Sequence, residues 1–234
     1  MATIISIETS TTVCSACLSV DGEIVANKED YKGQNHSVVL GGYVKELLDE
    51  VRAKGLKLDA VAVSCGPGSY TGLRIGVSTA KGLCYGSDAK LIAVNTLKAM
   101  ASGVIRTHCE IADGAWLCPM IDARRMEVYN AFYDLSLVQQ RETAATIIES
   151  GSFADITQAH QVVCFGNGSE KCKSALTDRN ISFIDGIVPL AKDVAPLAER
   201  QYKAGEFEDV AYFEPFYLKE FVAFTHIQSL FPSK

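Results

Sequence analysis

The chain has 234 residues, 48% of them hydrophobic, and a formal net charge of −6 from 22 Lys and Arg against 28 Asp and Glu. That is apolar content for one large domain or two small lobes, with no apolar run long enough to span a membrane. The acidic balance and the absence of a basic run exclude a protein that grips a polyanion unaided. Glu8 and the threonines after it do not read as a secretory leader, so a cytoplasmic protein is expected.

Residues 4–9, 13–20 and 23–29 read as three successive strands, the last two joined by an Asp21-Gly22 hairpin turn. Cys14 and Cys17 form a C-x-x-C, the spacing of zinc and redox sites. They sit inside a strand, where residues three apart point to opposite faces, so no shared site is expected. Of the eight cysteines, Cys65, Cys84, Cys118 and Cys164 stand in apolar runs as small hydrophobes.

Residues 35–54 read as a helix because Val39, Leu40, Tyr43, Val44, Leu47, Leu48 and Val51 recur at intervals of three and four. An apolar strand at 61–65 runs into Gly66-Pro67-Gly68-Ser69-Tyr70-Thr71-Gly72-Leu73-Arg74-Ile75-Gly76, which turns the chain sharply into a helix at 72–85, with Ser69 or Thr71 as its cap. A strand, a glycine turn and a helix N-terminus can hold an anion on backbone N–H groups. The plainer reading is a tight turn that is merely glycine-rich. No lysine occupies the Walker position, so this is not a P-loop.

A strand at 90–94 and a helix near 97–107 follow. Residues 116–122 and 127–134 are strand-like and suit a hairpin. A short strand at 162–165 turns at Gly166-Asn167-Gly168-Ser169 into a helix at 170–178, and 189–204 is a last helix. No internal repeat is visible.

Together with Ile4-Ile5-Ser6-Ile7-Glu8-Thr9-Ser10-Thr11, Ile121-Asp122-Ala123-Arg124-Arg125-Met126-Glu127-Val128-Tyr129 and Pro215-Phe216-Tyr217-Leu218, the glycine string resembles the signatures of the bacterial TsaB (YeaZ) family. These are tRNA threonylcarbamoyladenosine biosynthesis proteins of the glycoprotease (M22-like) branch of the actin-like ATPases. The motifs run along nearly the whole chain in family order. The resemblance implies an α/β chain with the actin-like ATPase (ribonuclease H-like) fold in two lobes, the second smaller and less regular. The lobes are expected at 1–98 and 99–212, with a segment at 213–234 packing back on the first.

In actin-like ATPases, acids and glycine- or hydroxyl-rich turns clamp magnesium and phosphates between the lobes. Carried over, a vestigial nucleotide site would comprise Glu8, Ser10 and Thr11, then Gly66, Gly68 and Ser69, then Asp122, and finally Gly166 and Gly168. Glu8 stands where many relatives carry aspartate. Asp122-Ala123-Arg124-Arg125-Met126 places bulky side chains where backbone should approach phosphate, with no glycine to take a positive φ. Two arginines there suit an anion or a partner's carboxylate, or simply a solvated turn. Asp122 reads as structural or interface-forming.

The family's catalytic relative TsaD carries a metal-binding histidine pair where this chain has Thr96 and Met100, a poor ligand and a soft one. The histidines His36, His108, His160 and His226 are dispersed, and no G-x-S-x-G nucleophile motif occurs. No metal and no cofactor are expected.

The resemblance implies a non-catalytic accessory subunit for threonylcarbamoyl transfer to adenosine in tRNA. It would partner TsaD and help dock the ATPase TsaE, meet tRNA only within the complex, and form a homodimer in isolation. The pairing positions carried over are His36, Val39, Leu40, Tyr43, Leu47, Leu73, Gly76, Val77 and Ala80. Tyr43→Arg or Gly76→Arg is expected to break pairing and leave the monomer folded. The alternatives are a degenerate or independent ATP-dependent kinase, an M22-type metallopeptidase, or a homodimeric scaffold unrelated to tRNA.

Overall fold

The computed structural model describes residues 2–33 and 35–219, so His226 and the end of the segment expected at 213–234 lie outside the described residues. The first half of the chain runs β1 (Thr3–Glu8), β2 (Cys14–Val20), β3 (Glu23–Asp30), α1 (His36–Ala53), β4 (Ala60–Gly66), α2 (Tyr70–Ser87), β5 (Lys90–Asn95) and α3 (Thr96–Thr107). The second runs β6 (Trp116–Asp122), β7 (Glu127–Tyr133), β8 (Gln139–Ile147), the short α4 (Ala154–Thr157), β9 (Val162–Phe165), β10 (Ile181–Ile184) and α5 (Ala191–Ala204).

Each half builds a five-stranded sheet, ordered β3-β2-β1-β4-β5 and β8-β7-β6-β9-β10. The pairings match step for step. β1–β2, β2–β3, β6–β7 and β7–β8 are antiparallel, whereas β1–β4, β4–β5, β6–β9 and β9–β10 are parallel. The second half therefore repeats the topology of the first, which the sequence does not reveal.

Strand periodicity sets the layers. Ile5 and Ile7 of β1, with Val61 and Val63 of β4, meet Leu40, Val44, Leu47 and Val51 of α1 and Val77, Ala80 and Cys84 of α2. Ile4 of β1, with Ala60 and Ala62 of β4, faces the other way, into a core continuous with Leu117 and Ile121 of β6, Tyr133 of β7 and Phe165 of β9. Residues of α3 and α5 fill that shared core. α5 packs on β1, β2, β4 and β5, so the last helix among the described residues closes the back of the first sheet.

The second lobe is the less regular one. Its outer face is covered by Phe153 and Ile156 around α4 and by Cys172 and Leu176, with no long helix among the described residues. The helix expected at 170–178 is a single 3₁₀ turn at Glu170–Cys172. Turn chemistry competes there: Asp178 accepts from the Asn180 N–H at 2.8 Å and from the Thr157 hydroxyl at 2.8 Å. A nine-residue helix has little intrinsic stability to oppose it.

Residues after α5 return along the first lobe. The Glu208 N–H bonds the Leu91 carbonyl, the Lys81 ammonium holds the Ala211 and Phe213 carbonyls, and the Phe216 N–H donates to Cys65 O at 2.8 Å. The Tyr217 ring lies 4.8 Å from that of Tyr70, and Lys219 pairs with Glu127 of the second lobe. This strap covers part of the otherwise open β5 edge.

Candidate functional site

Gly66 ends β4 and Gly166 directly follows β9, the fourth strand of each half, at φ +117° and +107°, and each opens a Gly-x-Gly-Ser. The two strings, 66–69 and 166–169, occupy equivalent places in the repeated topology. A Cβ on Gly68 would stand 2.5 Å from the Ser10 carbonyl oxygen, and one on Gly168 2.8 Å from the Ile121 carbonyl carbon. In each half, the glycine turn thus presses on the turn after the first strand. These are the two turns that the resemblance to actin-like ATPases marks for phosphate.

In the first half the cradle is filled by the chain itself. The Ser69 N–H donates to Ser10 O at 2.7 Å, and the Ser69 hydroxyl caps α2 by accepting the Gly72 N–H at 3.3 Å, which decides the cap in favour of Ser69. The Thr9 hydroxyl donates to the Gly72 carbonyl at 2.8 Å. A Cβ on Gly72 would lie 2.1 Å from Thr9 O, and one on Gly76 2.3 Å from Thr9 Oγ1. Glu8 is fully buried; one carboxylate oxygen takes the Ser10 N–H at 2.5 Å and the other the Ser64 hydroxyl. Among the described residues, the buried hydroxyls of Ser10 and Thr11 have no hydrogen-bond partner, a feature that suits a ligand.

The second half departs further. Arg124 and Arg125 sit at φ +70° and +48°, the left-handed region that costs an ordinary residue roughly 1 kcal/mol or more each. Three groups hold the turn in place. The Lys171 ammonium bonds Asp122 Oδ1 and, at 2.7 Å each, the carbonyls of Arg125 and Glu127. Asp122 Oδ1 accepts the Arg124 N–H at 2.9 Å, and Asn167 Oδ1 accepts the Asp122 N–H at 3.0 Å. Asp122 is therefore tied to Lys171 and its own turn. Glu8 and the Ser69 N–H are thus bonded within the chain, and bulky side chains stand at the second turn.

Thr96 and Met100 are buried, and the Met100 methyl would meet a Cβ on Gly166 at 2.6 Å. His36 contacts the Thr11 carbonyl through Nε2 at 2.9 Å, His108 pairs with Glu110, and His160 stacks on Trp116 at 4.1 Å. Among the described residues, no three His, Cys, Asp or Glu side chains gather where a metal could bind. Cys14 and Cys17 fall on opposite faces of β2, in separate cores. Burial pushes their thiols up to about 11 and about 12, which makes them poor nucleophiles.

Most of the pairing positions expected on sequence are not surface. His36, Leu40, Leu47, Leu73, Gly76, Val77 and Ala80 are buried within this chain and correct that expectation, because a side chain sealed in its own lobe cannot face a partner. Gly76→Arg would consequently break the lobe rather than an interface. Val39 and Tyr43 remain, half-buried at the edge of the α1–α2 core, beside Ile75 and Leu83. Outward of them stand Val38 and Tyr85, 79% and 89% exposed, and Gly41, Gly42, Gly82 and Gly86, around whose would-be Cβ atoms nothing lies within 4 Å.

Residues 23–212 match the family model described as TsaD: tRNA N6-adenosine threonylcarbamoyltransferase. The tRNA N6-adenosine threonylcarbamoyltransferase of Bartonella henselae is 32% identical over 117 residues, 43% of this chain and 32% of that protein. Against the tRNA threonylcarbamoyladenosine biosynthesis protein TsaB of Escherichia coli, identity is 30% over 226 residues, 94% of this chain and 96% of that one. The chain belongs to the TsaB family. A solved structure described as YeaZ from Pseudomonas aeruginosa has 25% identity and a TM-score of 0.77, covering 93% of this chain and 100% of its own.

Within this TsaB-family chain, sequence reading missed Ser64, which holds Glu8, and Lys171, which holds the second turn. Only the repeated Gly-x-Gly-Ser could have signalled that both lie beside matching turns. Burial pushes the Glu8 carboxyl above its ordinary 4.5, against the bonds from Ser10 and Ser64, and Asp193 adds to the rise. A raised folded-state value means that stability is full below the unfolded value and lost as pH climbs through the folded one. Glu8→Gln is therefore expected to raise stability relative to wild type at neutral pH, by an amount that shrinks as pH falls toward the ordinary carboxylate range. Urea melts across pH check it; a variant weaker than wild type at neutral pH would mean the fold needs the charged carboxylate.

Proposed function

We propose that this chain is a non-catalytic accessory subunit in tRNA threonylcarbamoyladenosine biosynthesis. It partners a TsaD-type catalytic subunit through the outer face of α1 and α2, and a TsaE-type ATPase and tRNA join the assembled complex. Two copies pair on the same helix face when that subunit is missing, and the work is done in the cytoplasm. The observation that carries this reading is the closed first cradle, where Gly68 and Gly72 press on the main chain of Ser10 and Thr9 in a chain similar to TsaB over nearly its full length. Backbone packed into the turns that the resemblance assigns to phosphate supports a role in binding rather than chemistry. The exposed apolar and small residues of α1 and α2 suit a helix-on-helix contact with an apolar centre.

The rival readings need groups that stand elsewhere. A kinase needs an acid open to magnesium, and Glu8 is bonded to Ser10 and Ser64. A metallopeptidase needs a ligand cluster where Thr96 and Met100 are buried.

The test is co-purification with TsaD of the same organism, then threonylcarbamoyl transfer with both proteins, with each alone, and with TsaE and tRNA supplied. Activity is expected only when both are present. Transfer, phosphorylation or peptide cleavage by this chain alone would overturn the non-catalytic reading, and failure to associate would overturn the partnership.

A further inference from the structure

We propose that the turn bearing Arg124 and Arg125 contacts the sugar–phosphate backbone of RNA in the assembled complex. The inference rests on the accessory-subunit function and adds to it the site that meets the nucleic acid. Four observations carry it.

The first is conformational. Both central residues of the turn have positive φ, where glycine or asparagine would be free of strain, yet both are arginine. The second is that the turn is fastened: one ammonium, that of Lys171, reaches Asp122, Arg125 and Glu127, so the tip is presented in one shape. The third is charge. Asp122 is taken by Lys171 and Glu127 by Lys219, while among the described residues no carboxylate pairs with the exposed guanidinium of Arg124 or Arg125. A cationic tip on a chain of net charge −6 sets the orientation in which a polyanion can approach, because the acidic body repels it elsewhere. Planar guanidiniums match phosphate oxygens in pairs. The fourth is position. The tip belongs to the second sheet, whereas α1 and α2 cover the far face of the first, so a protein seated on those helices leaves it open.

The test uses the complex of this chain with TsaD, an unmodified tRNA transcript, and the double variant Arg124→Gly/Arg125→Gly. Glycine takes a positive φ without strain, so melting temperature and co-purification with TsaD should be unchanged or better. The slope of log affinity against log salt should flatten by about 1.4–1.8, because each phosphate that an arginine no longer neutralises takes about 0.7–0.9 off it. The KM for tRNA should rise several-fold with kcat nearly unchanged, and Arg124→Lys/Arg125→Lys should keep most of the slope. An unchanged slope in an active complex overturns this proposal alone. Loss of TsaD from the glycine variant also overturns it, since the arginines would then pair with a protein carboxylate. A wild-type complex that does not form or does not modify tRNA overturns both this proposal and the accessory-subunit function beneath it.

Discussion

Gly72→Ala is expected to cost about 3 kcal/mol of stability, the upper end for overpacking, while Gly82→Ala, ten residues along the same helix, adds about 0.5–1 kcal/mol. The contrast isolates one cause. Both residues are helical in α2, so both gain the same backbone benefit from alanine. At Gly72, however, a Cβ would lie 2.1 Å from the carbonyl oxygen of Thr9, a backbone atom with no rotamer to escape through. At Gly82 it meets nothing within 4 Å. Denaturant midpoints at constant m-value measure both. A neutral Gly72→Ala would mean that the turn after β1 does not rest on α2 and that the cradle is open.

The second large effect is on assembly. Gly82→Arg on α2 and Tyr43→Arg on α1 should abolish co-purification with TsaD and drop threonylcarbamoyl transfer to background while leaving the monomer folded. An arginine forced into an apolar contact without a partner costs about 3 kcal/mol or more, a hundredfold or greater loss of affinity. Gly82 has open space and Tyr43 is only half-buried, so neither change should unfold the lobe. Gly76→Arg serves as the opposite control, since its side chain would enter at Thr9 and the protein should fail to fold. Circular dichroism and gel filtration separate the two failures. A Gly82→Arg chain that still holds TsaD places the contact elsewhere.

Periodicity was enough to find β1 to β7, β9 and the long helices, because each buries a face with a regular spacing. It did not find β8, whose Gln-Gln-Arg-Glu opening is polar and lies on a sheet edge, nor β10, which is only Ile181–Ile184. The pairing helices illustrate a different limit. An apolar arc as wide as that of α1 shows that something covers it, and the pattern does not distinguish the chain's own sheet from a visitor. Leu40 and Leu47 turned inward, and Val38 turned out. The relation between the two halves was legible only where main chain abuts main chain. Gly68 and Gly168 are held by contact with a neighbouring turn, whereas the strands around them need only be apolar and so keep no shared letters.

The placement of α5 bears on synthesis. Residues 3–95 supply every strand of the first sheet, yet the helix that closes its back begins at Ala191, and the strap along its β5 edge reaches Phe216. A ribosome delivers that sheet long before it delivers its cover. While residues 96–190 are made, Ile4, Ala60, Ala62 and Ile92 stand uncovered by their final partner on the emerging chain, together with an unpaired strand edge. Such a surface is what cellular chaperones recognise. The half of the protein that carries α1 and α2 thus has all its strands before the helix that closes it is made.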